Sequence, residues 1–134
     1  MAATDGLSNF TMNGMLNGLK NVSWASSGTF IELHTASPGV AGTTAISVGS
    51  TVRLSATYTA ATSADGVASI ALSGAVGPWT NGGTTETITD VAVWTAASAG
   101  TFLWSAPLTV PKAWASGDTL TLNSCGLSIG PLAA

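Results

Sequence analysis

This sequence has few charged residues. Three Lys or Arg and six Asp or Glu make 7% of its 134 residues charged, against about 25% in an average soluble domain. The three basic residues, Lys20, Arg53 and Lys112, cannot form a phosphate-neutralising patch, which excludes direct nucleic-acid binding. The surface must be built from Thr, Ser, Asn and Gly. We expect neighbouring subunits to cover part of it, and a neutral, polar, uncovered surface is the alternative.

Cysteine and long apolar runs are equally scarce. Cys125 is the single cysteine, so no internal disulfide can form and a bridge-stapled secreted scaffold is excluded. No stretch approaches the roughly 20 apolar residues that span a bilayer, which predicts no membrane partner. The first six residues lack the basic start and apolar run of a secretory signal. We therefore expect the chain to fold in the cytoplasm where it is made.

The N-terminal residues carry a helical pattern. Between residues 5 and 20, large apolar side chains recur mostly at spacings of three and four: Leu7, Phe10, Met15, Leu16 and Leu19. This predicts one short amphipathic helix, with Asp5 or Ser8 able to cap its start. Gly14 and Gly18 weaken the helix, so it needs a surface to pack against. That surface is either its own domain or another subunit.

From Gly28 onward the pattern is one of strands and turns. Short β-branched runs alternate with Gly, Ser, Asn, Asp and Pro, which predicts strands near residues 29–35, 51–59, 67–72, 87–94, 101–105, 119–122 and 127–129. The first two runs alternate in polarity, as half-buried strands do. Asp65-Gly66 predicts a tight hairpin turn, Asn81-Gly82-Gly83 predicts another turn, and residues 35–49 a long loop.

These elements predict a mainly β fold. We expect an antiparallel β-sandwich or jelly roll preceded by one short N-terminal α-helix. Pro107 and Pro111 place residues 108–110 at an edge or in a connection, because proline cannot donate to a central ladder. The length suits a single domain over residues 1–134, with helix and connector in 1–27 and sandwich in 28–134.

The chemical inventory predicts no catalytic, cofactor-binding or metal-binding residue. His34 is the single histidine, and no Gly-x-Ser-x-Gly elbow accompanies it. His34 and Cys125 are too far apart in sequence to indicate a metal site. The acidic residues lie in turns or on strands, where they have structural roles: Glu32, Asp65, Glu86, Asp90 and Asp118. The chain is predicted not to be an enzyme.

Five tryptophans are the one unusual chemical resource. Trp94 and Trp104 lie within apolar strands and are predicted to be core residues. Trp24, Trp79 and Trp114 stand among small and polar residues, which predicts loops. There they could anchor a subunit interface or stack on a sugar. Together with Leu7 and Phe10 they are the candidate interface or ligand anchors.

Four segments, taken in order, resemble a known family. Leu33-His34-Thr35-Ala36-Ser37-Pro38-Gly39 is followed by Val93-Trp94-Thr95-Ala96-Ala97-Ser98-Ala99-Gly100-Thr101-Phe102-Leu103, and then by Pro107-Leu108 and Ser116-Gly117-Asp118-Thr119-Leu120. This order, over about residues 30–130, resembles small virion proteins of tailed bacteriophages, described as head decoration, minor capsid or tail-fibre proteins. Ser37 departs from the pattern, where Asp is usual. The resemblance implies a helix before a β-sandwich and no catalytic residues.

The resemblance implies a virion location, which gives the first two of three functional hypotheses. The first is a capsid decoration or minor capsid protein on the capsid exterior, forming a homo-oligomer, a trimer, that binds and stabilises the major capsid protein shell. The second is a tail-fibre or tail-tip module that binds a host surface polysaccharide through loop tryptophans. The third is a cryptic hydrolase built on His34 or the acidic residues.

Overall fold

The computed structural model describes residues 4–131 and 133. Within them one helix and nine strands follow one another: α1 Asn9–Gly18, β1 Phe30–His34, β2 Leu54–Ser55, β3 Thr62–Ala64, β4 Val67–Ile70, β5 Val76–Thr80, β6 Glu86–Trp94, β7 Phe102–Trp114, β8 Thr119–Leu122 and β9 Leu127–Ile129. The mainly β class with one short N-terminal helix is confirmed. Residues 1–3, 132 and 134 lie outside the described residues. All five belong to the predicted domain, and residues 1–3 also belong to the segment that was compared with a secretory signal.

The strands form three antiparallel sheets. One sheet has the order β2-β1-β6-β7, the second β3-β4-β9, and the third pairs β5 with β8. Strand β1 lies against the whole second half of β6, from Phe30 opposite Trp94 to His34 opposite Asp90. Pairing between β6 and β7 shifts register between Ile88 and Asp90, so β7 bulges where its two prolines stand.

Side chains from all three sheets meet in one hydrophobic core. The four-stranded sheet contributes one face, and the smaller sheets contribute residues such as Trp79, Leu120 and Leu122, with Ile70 and Leu127 packed at the margin. Burial between facing sheets is the arrangement of a β-sandwich. The predicted sandwich is therefore confirmed as a fold class.

The expectation that β1 is half-buried is wrong. Glu32 and His34 are as buried as Ile31 and Leu33 on the opposite face. The polar pair lies on the outer face of the four-stranded sheet, which the long loop after β1 covers: Thr35 donates its N–H to Ala45, and Ser47 to Leu33. A loop can cover a sheet face as a second sheet does, and alternation in sequence does not distinguish a covered polar face from a solvated one.

The turn signals have mixed outcomes. Asp65 and Gly66 both have positive φ and join β3 to β4, with Ala64 opposite Val67, so the predicted tight turn is confirmed. The strand before this turn is β3 and not the predicted run 51–59, of which only Leu54–Ser55 forms a strand. The sequence patterns also missed β5. Residues 108–110 lie inside β7. The edge prediction is confirmed, because β7 is the last strand in the order of its sheet and the N-terminal residues pair only with its first part, around Trp104.

The N-terminal segment is tied to β7. Ser8 caps α1, its Oγ accepting from the Thr11 N–H at 3.1 Å, which confirms one of the two predicted caps. Before the cap, Ser105 donates its N–H to Gly6 and Ser8 donates to Leu103. Residues 6–8 therefore extend the sheet beyond β7, and α1 packs on its own chain. No helix among the described residues is long and apolar enough to cross a membrane.

Candidate subunit interface

The buried polar residues of β1 form a closed network. The Arg53 Nε donates to Glu32 Oε2 at 2.9 Å, and His34 Nε2 lies 3.1 Å from Glu32 Oε1. The other ring nitrogen, Nδ1, lies 2.8 Å from the Thr44 carbonyl. Burial would raise the pKa of Glu32, but the hydrogen bonds from His34 and Arg53 and the Arg53 charge hold that pKa below its ordinary value. These groups fasten loop and sheet together, and His34 has no free nitrogen for catalysis.

Glu86 fastens the far end of the same loop. Its carboxylate accepts hydrogen bonds from the Ser47 hydroxyl and from the N–H groups of Val48 and Gly49. The Trp114 Nε1 donates to it at 3.1 Å. Burial would raise the pKa of Glu86, but these donors favour the charged form and lower that pKa overall. Such a carboxylate is a loop anchor and a poor general acid.

The remaining acidic residues also have local roles. Burial raises the pKa of Asp90, the Thr89 hydroxyl opposes the rise, and the neighbouring Asp5 carboxyl adds to it. Asp118 Oδ2 accepts from the Ala115 N–H at 2.8 Å inside a turn. The described residues contain no group of three or more His, Cys, Asp or Glu side chains placed to hold a metal ion.

The burial of the five tryptophans differs from the prediction. Trp94 and Trp104 are buried as predicted. The expectation that Trp79 and Trp114 are loop residues available to a partner is wrong: they lie on β5 and at the end of β7, with 1% and 2% of their surface exposed. The Trp79 Nε1 donates to the Val52 carbonyl at 2.9 Å. Of the three predicted loop tryptophans, only Trp24 is exposed.

Residues 10–24 carry an exposed apolar surface. Eleven large hydrophobic side chains are exposed among the described residues, and six lie in this segment: Phe10, Met12, Leu16, Leu19, Val22 and Trp24. Phe10 and Trp24 contact each other, with ring centroids 6.0 Å apart. Helix α1 buries Thr11 and Gly14, whereas Met12, Leu16 and Leu19 follow the spacing i, i+4, i+7 on its outer side. We call these three residues the outer stripe.

The predicted anchors in this region occupy distinct places. Phe10 and Trp24 are exposed and adjacent. Leu7 is half-buried, bridges to Trp104 and packs against the core, so most of its contact surface is already used within the chain. Sequence spacing did not single out Met12 and Val22, which belong to the same exposed surface. The signal for Met12 was its distance of four from Leu16.

An apolar groove lies beside α1. It has a volume of about 380 Å³, and α1 forms one wall through Thr11 and Met15. The other walls come from the three-stranded sheet, β7 and the connector after α1, including Trp24, Tyr58, Ala61, Ile70, Trp104 and Leu127. We call it the apolar groove. Its composition suits apolar side chains more than a sugar or a charged ligand.

A second groove is polar and open. It has a volume of about 630 Å³ and lies between the bulged part of β7 and the segment from β8 to Gly126. Its lining includes Lys112 and several hydroxyl and amide groups, among them Thr109, Thr121, Asn123 and Ser124. We call it the polar groove. Its donors and acceptors could meet the hydroxyls of a neutral sugar.

The fold is a β-sandwich in which a loop covers one sheet, acidic groups hold loops in place and the helix exposes an apolar surface. These are features of a protein that assembles with others. Residues 6–130 match the family described as "Podophage GP4 fiber I protein gp80". The chain belongs to this family and is a virion structural protein of a tailed bacteriophage, in agreement with the resemblance. As a fibre-family protein it associates with other virion components. No curated protein matches the chain.

Proposed function

We propose that the chain is a non-enzymatic structural subunit of a podophage fibre. The observation that carries this proposal is the exposed apolar surface of residues 10–24 on a chain with few charges. Such a surface marks a protein contact more often than it is left in solvent. The family description supports a fibre better than capsid decoration, so the fibre alternative becomes the leading hypothesis.

The proposed partners are copies of the chain and neighbouring fibre or tail proteins. A trimer is the state expected for the homo-oligomer. Binding to the major capsid protein belongs to the capsid decoration hypothesis, and it requires a position on the shell exterior. Electron microscopy of labelled particles distinguishes a position on a fibre from one on the shell.

Immunogold labelling of purified virions tests the proposal. Antibody against the chain should place gold at the tail or its fibres, and antibody pre-absorbed with purified chain serves as the control. Gold spread over the head would overturn the fibre assignment in favour of decoration. Particles without label, although the chain is detected in them after denaturation, would place it inside the virion and would also overturn the assignment.

A second candidate function is recognition of a host surface polysaccharide, supported by the polar groove. Trp79 and Trp114 cannot contact the sugar as that hypothesis expected, because their side chains are buried. We propose instead that Thr121 and Asn123, both exposed, contact the sugar. Purified host polysaccharide should bind the chain in calorimetry, and Asn123→Ala should weaken binding about tenfold. Unchanged binding in Asn123→Ala and Thr121→Ala would exclude this groove.

A further inference from the structure

We propose that the apolar groove of one copy binds the outer stripe of α1 from a second copy of the same chain. The inference rests on the proposed fibre function, because it names the partner and the surface through which the subunit assembles. It assigns a role to the exposed residues Met12, Leu16 and Leu19, which make no contribution to the core of their own chain.

The groove offers a ligand few exposed polar groups. The Tyr58 hydroxyl and the Trp104 Nε1 have no partner among the described residues, but both atoms are buried beneath the groove surface. The Thr11 hydroxyl donates to the Leu103 carbonyl at 2.8 Å, and the Thr29 hydroxyl donates to the Ala56 carbonyl at 2.7 Å. Ser26 donates in the same way to Gly28. No Asp, Glu, Lys, Arg or His is among the described residues that line it. A sugar or a charged peptide would lose its hydration there without replacement hydrogen bonds, so the occupant must be apolar.

The same chain supplies a matching apolar ridge. Met12 and Leu16 each follow by one position a residue that lines the groove, Thr11 and Met15, and so point about 100° further round the helix. One copy therefore turns Met12 and Leu16 away from its own groove. A second copy can present the stripe to that groove, and neither surface carries a charge that would repel its partner.

The outer stripe and its neighbours form an exposed apolar patch of sizeable area. The exposed parts of the stripe and of the flanking Phe10, Val22 and Trp24 amount to on the order of 500 Å², at the upper end of the range for the largest apolar patch on a monomer. Burial of this patch would supply more than half of the roughly 800 Å² that one partner contributes to an interface of standard size. The low total charge of the chain adds little long-range repulsion between copies.

The contact joins two different surfaces, so it is heterologous. Each copy then retains one unused stripe or groove until the assembly closes into a ring, and the expected trimer would be such a ring. This property distinguishes the proposal from a symmetric contact in which the same residues face one another.

Two lysine substitutions and their mixture test the proposal by sedimentation velocity on the full chain. Leu16→Lys places a charge on the stripe, near a helix C-terminus that tolerates cations. Ala61→Lys places one at the exposed rim of the groove. Each variant should be monomeric, with a dissociation constant weakened about 100-fold or more. An equimolar mixture should form dimers and nothing larger, because one intact stripe still meets one intact groove.

A matched control is Val110→Lys, which changes an apolar residue 74% exposed on the bulge of β7. It should assemble as the unaltered chain does. Near-ultraviolet circular dichroism of all three variants should match that of the unaltered chain, because each site is exposed in the monomer. A variant that loses this spectrum is replaced by Met12→Lys or Ala61→Glu at the same surface.

Several results would overturn the proposal. A monomeric unaltered chain at every concentration, or a stripe variant that still assembles, excludes the second copy as occupant. Two monomeric variants that stay monomeric when mixed exclude the stripe-in-groove geometry. Head labelling in microscopy with an intact oligomer would overturn the fibre function alone, and fibre labelling with a monomeric chain would overturn this inference alone.

Discussion

Gly14 of helix α1 lies directly beneath the indole of Trp24. A Cβ atom added to Gly14 would overlap the Nε1, Cε2 and Cδ1 atoms of that ring. The absence of a side chain at Gly14 thus lets the connector after the helix fold back over it. This contact holds Trp24 beside Phe10 and at the mouth of the apolar groove. Gly14 weakens the isolated helix, but the exposed surface of the helix requires a residue without a side chain at this position.

The first prediction concerns Gly14→Ala. Alanine ordinarily stabilises a helix interior by about 1 kcal/mol relative to glycine, but here the added methyl group must displace Trp24. We expect a net loss of about 1–3 kcal/mol in the free energy of unfolding, the range for overpacking. Urea denaturation followed by tryptophan fluorescence measures it. Gly18→Ala is the matched control, since no atom lies within 4 Å of its added Cβ. A Gly14→Ala chain as stable as the Gly18→Ala chain would contradict the prediction.

The second prediction concerns the ion pair under the long loop. Arg53 contacts Glu32 and also lies over Trp94, with its Cζ 3.8 Å from the ring centroid. Arg53→Met leaves the buried Glu32 carboxylate without one of its donors, and removal of one partner from a buried pair costs about 3 kcal/mol. Urea denaturation of Lys112→Met, which removes a charge from an exposed site, should show a change below about 0.5 kcal/mol. Equal losses in the two variants would argue against the network.

The third prediction is a pH dependence at Glu86. Its pKa is lowered from an ordinary value of 4.5, so the folded chain binds its proton less readily than the unfolded chain. The resulting stabilisation is complete above pH 4.5 and is lost as the pH falls through the lowered pKa. Glu86→Gln should thus be less stable than the unaltered chain at neutral pH, and the difference should shrink in acid. Thermal unfolding at a series of pH values measures it, and a difference that stays constant across the series would disprove the assignment.

The fourth prediction compares two buried tryptophans. The Trp79 Nε1 has an acceptor in the Val52 carbonyl, whereas the Trp104 Nε1 has no acceptor among the described residues. Both changes to phenylalanine remove similar apolar contact, but Trp79→Phe also leaves a carbonyl unpaired. Its loss of unfolding free energy should exceed that of Trp104→Phe by about 1 kcal/mol. Denaturant titration of both variants checks this, and a larger loss in Trp104→Phe would show that packing dominates.

Sequence patterns were sufficient where structure depends on neighbouring residues. The Ser8 cap, the Asp65-Gly66 turn and the edge position of the prolines follow from local backbone chemistry, and each is found as expected. They were insufficient for Trp79. Its neighbours Gly77 and Pro78 indicate a loop, but β5 pairs with β8 about forty residues later, with Trp79 opposite Leu120. Pairing over that distance overrides a local signal.

At the candidate interface too, the sequence predicted the local element but not its contacts. The apolar spacing of residues 5–20 predicted a helix and left open which surface it covers. The structure shows that a small part of α1, Thr11 and Gly14, is buried on β7 and the connector, and that the outer stripe faces away. A helix pattern gives the direction of each side chain around the axis, whereas the position of the axis relative to the sheets depends on contacts such as Thr11 to Leu103.

By itself the sequence determined a sparsely charged, mainly β chain with a capped N-terminal helix, because composition, caps and turns act over a few residues. Its resemblance to a phage family added the virion. Only the tertiary structure decided which polar residues are buried, which tryptophans are exposed and where the apolar groove lies. These depend on loop residues 35–49 covering one sheet face and on strands distant in sequence meeting, and such contacts involve parts of the chain that no local pattern connects.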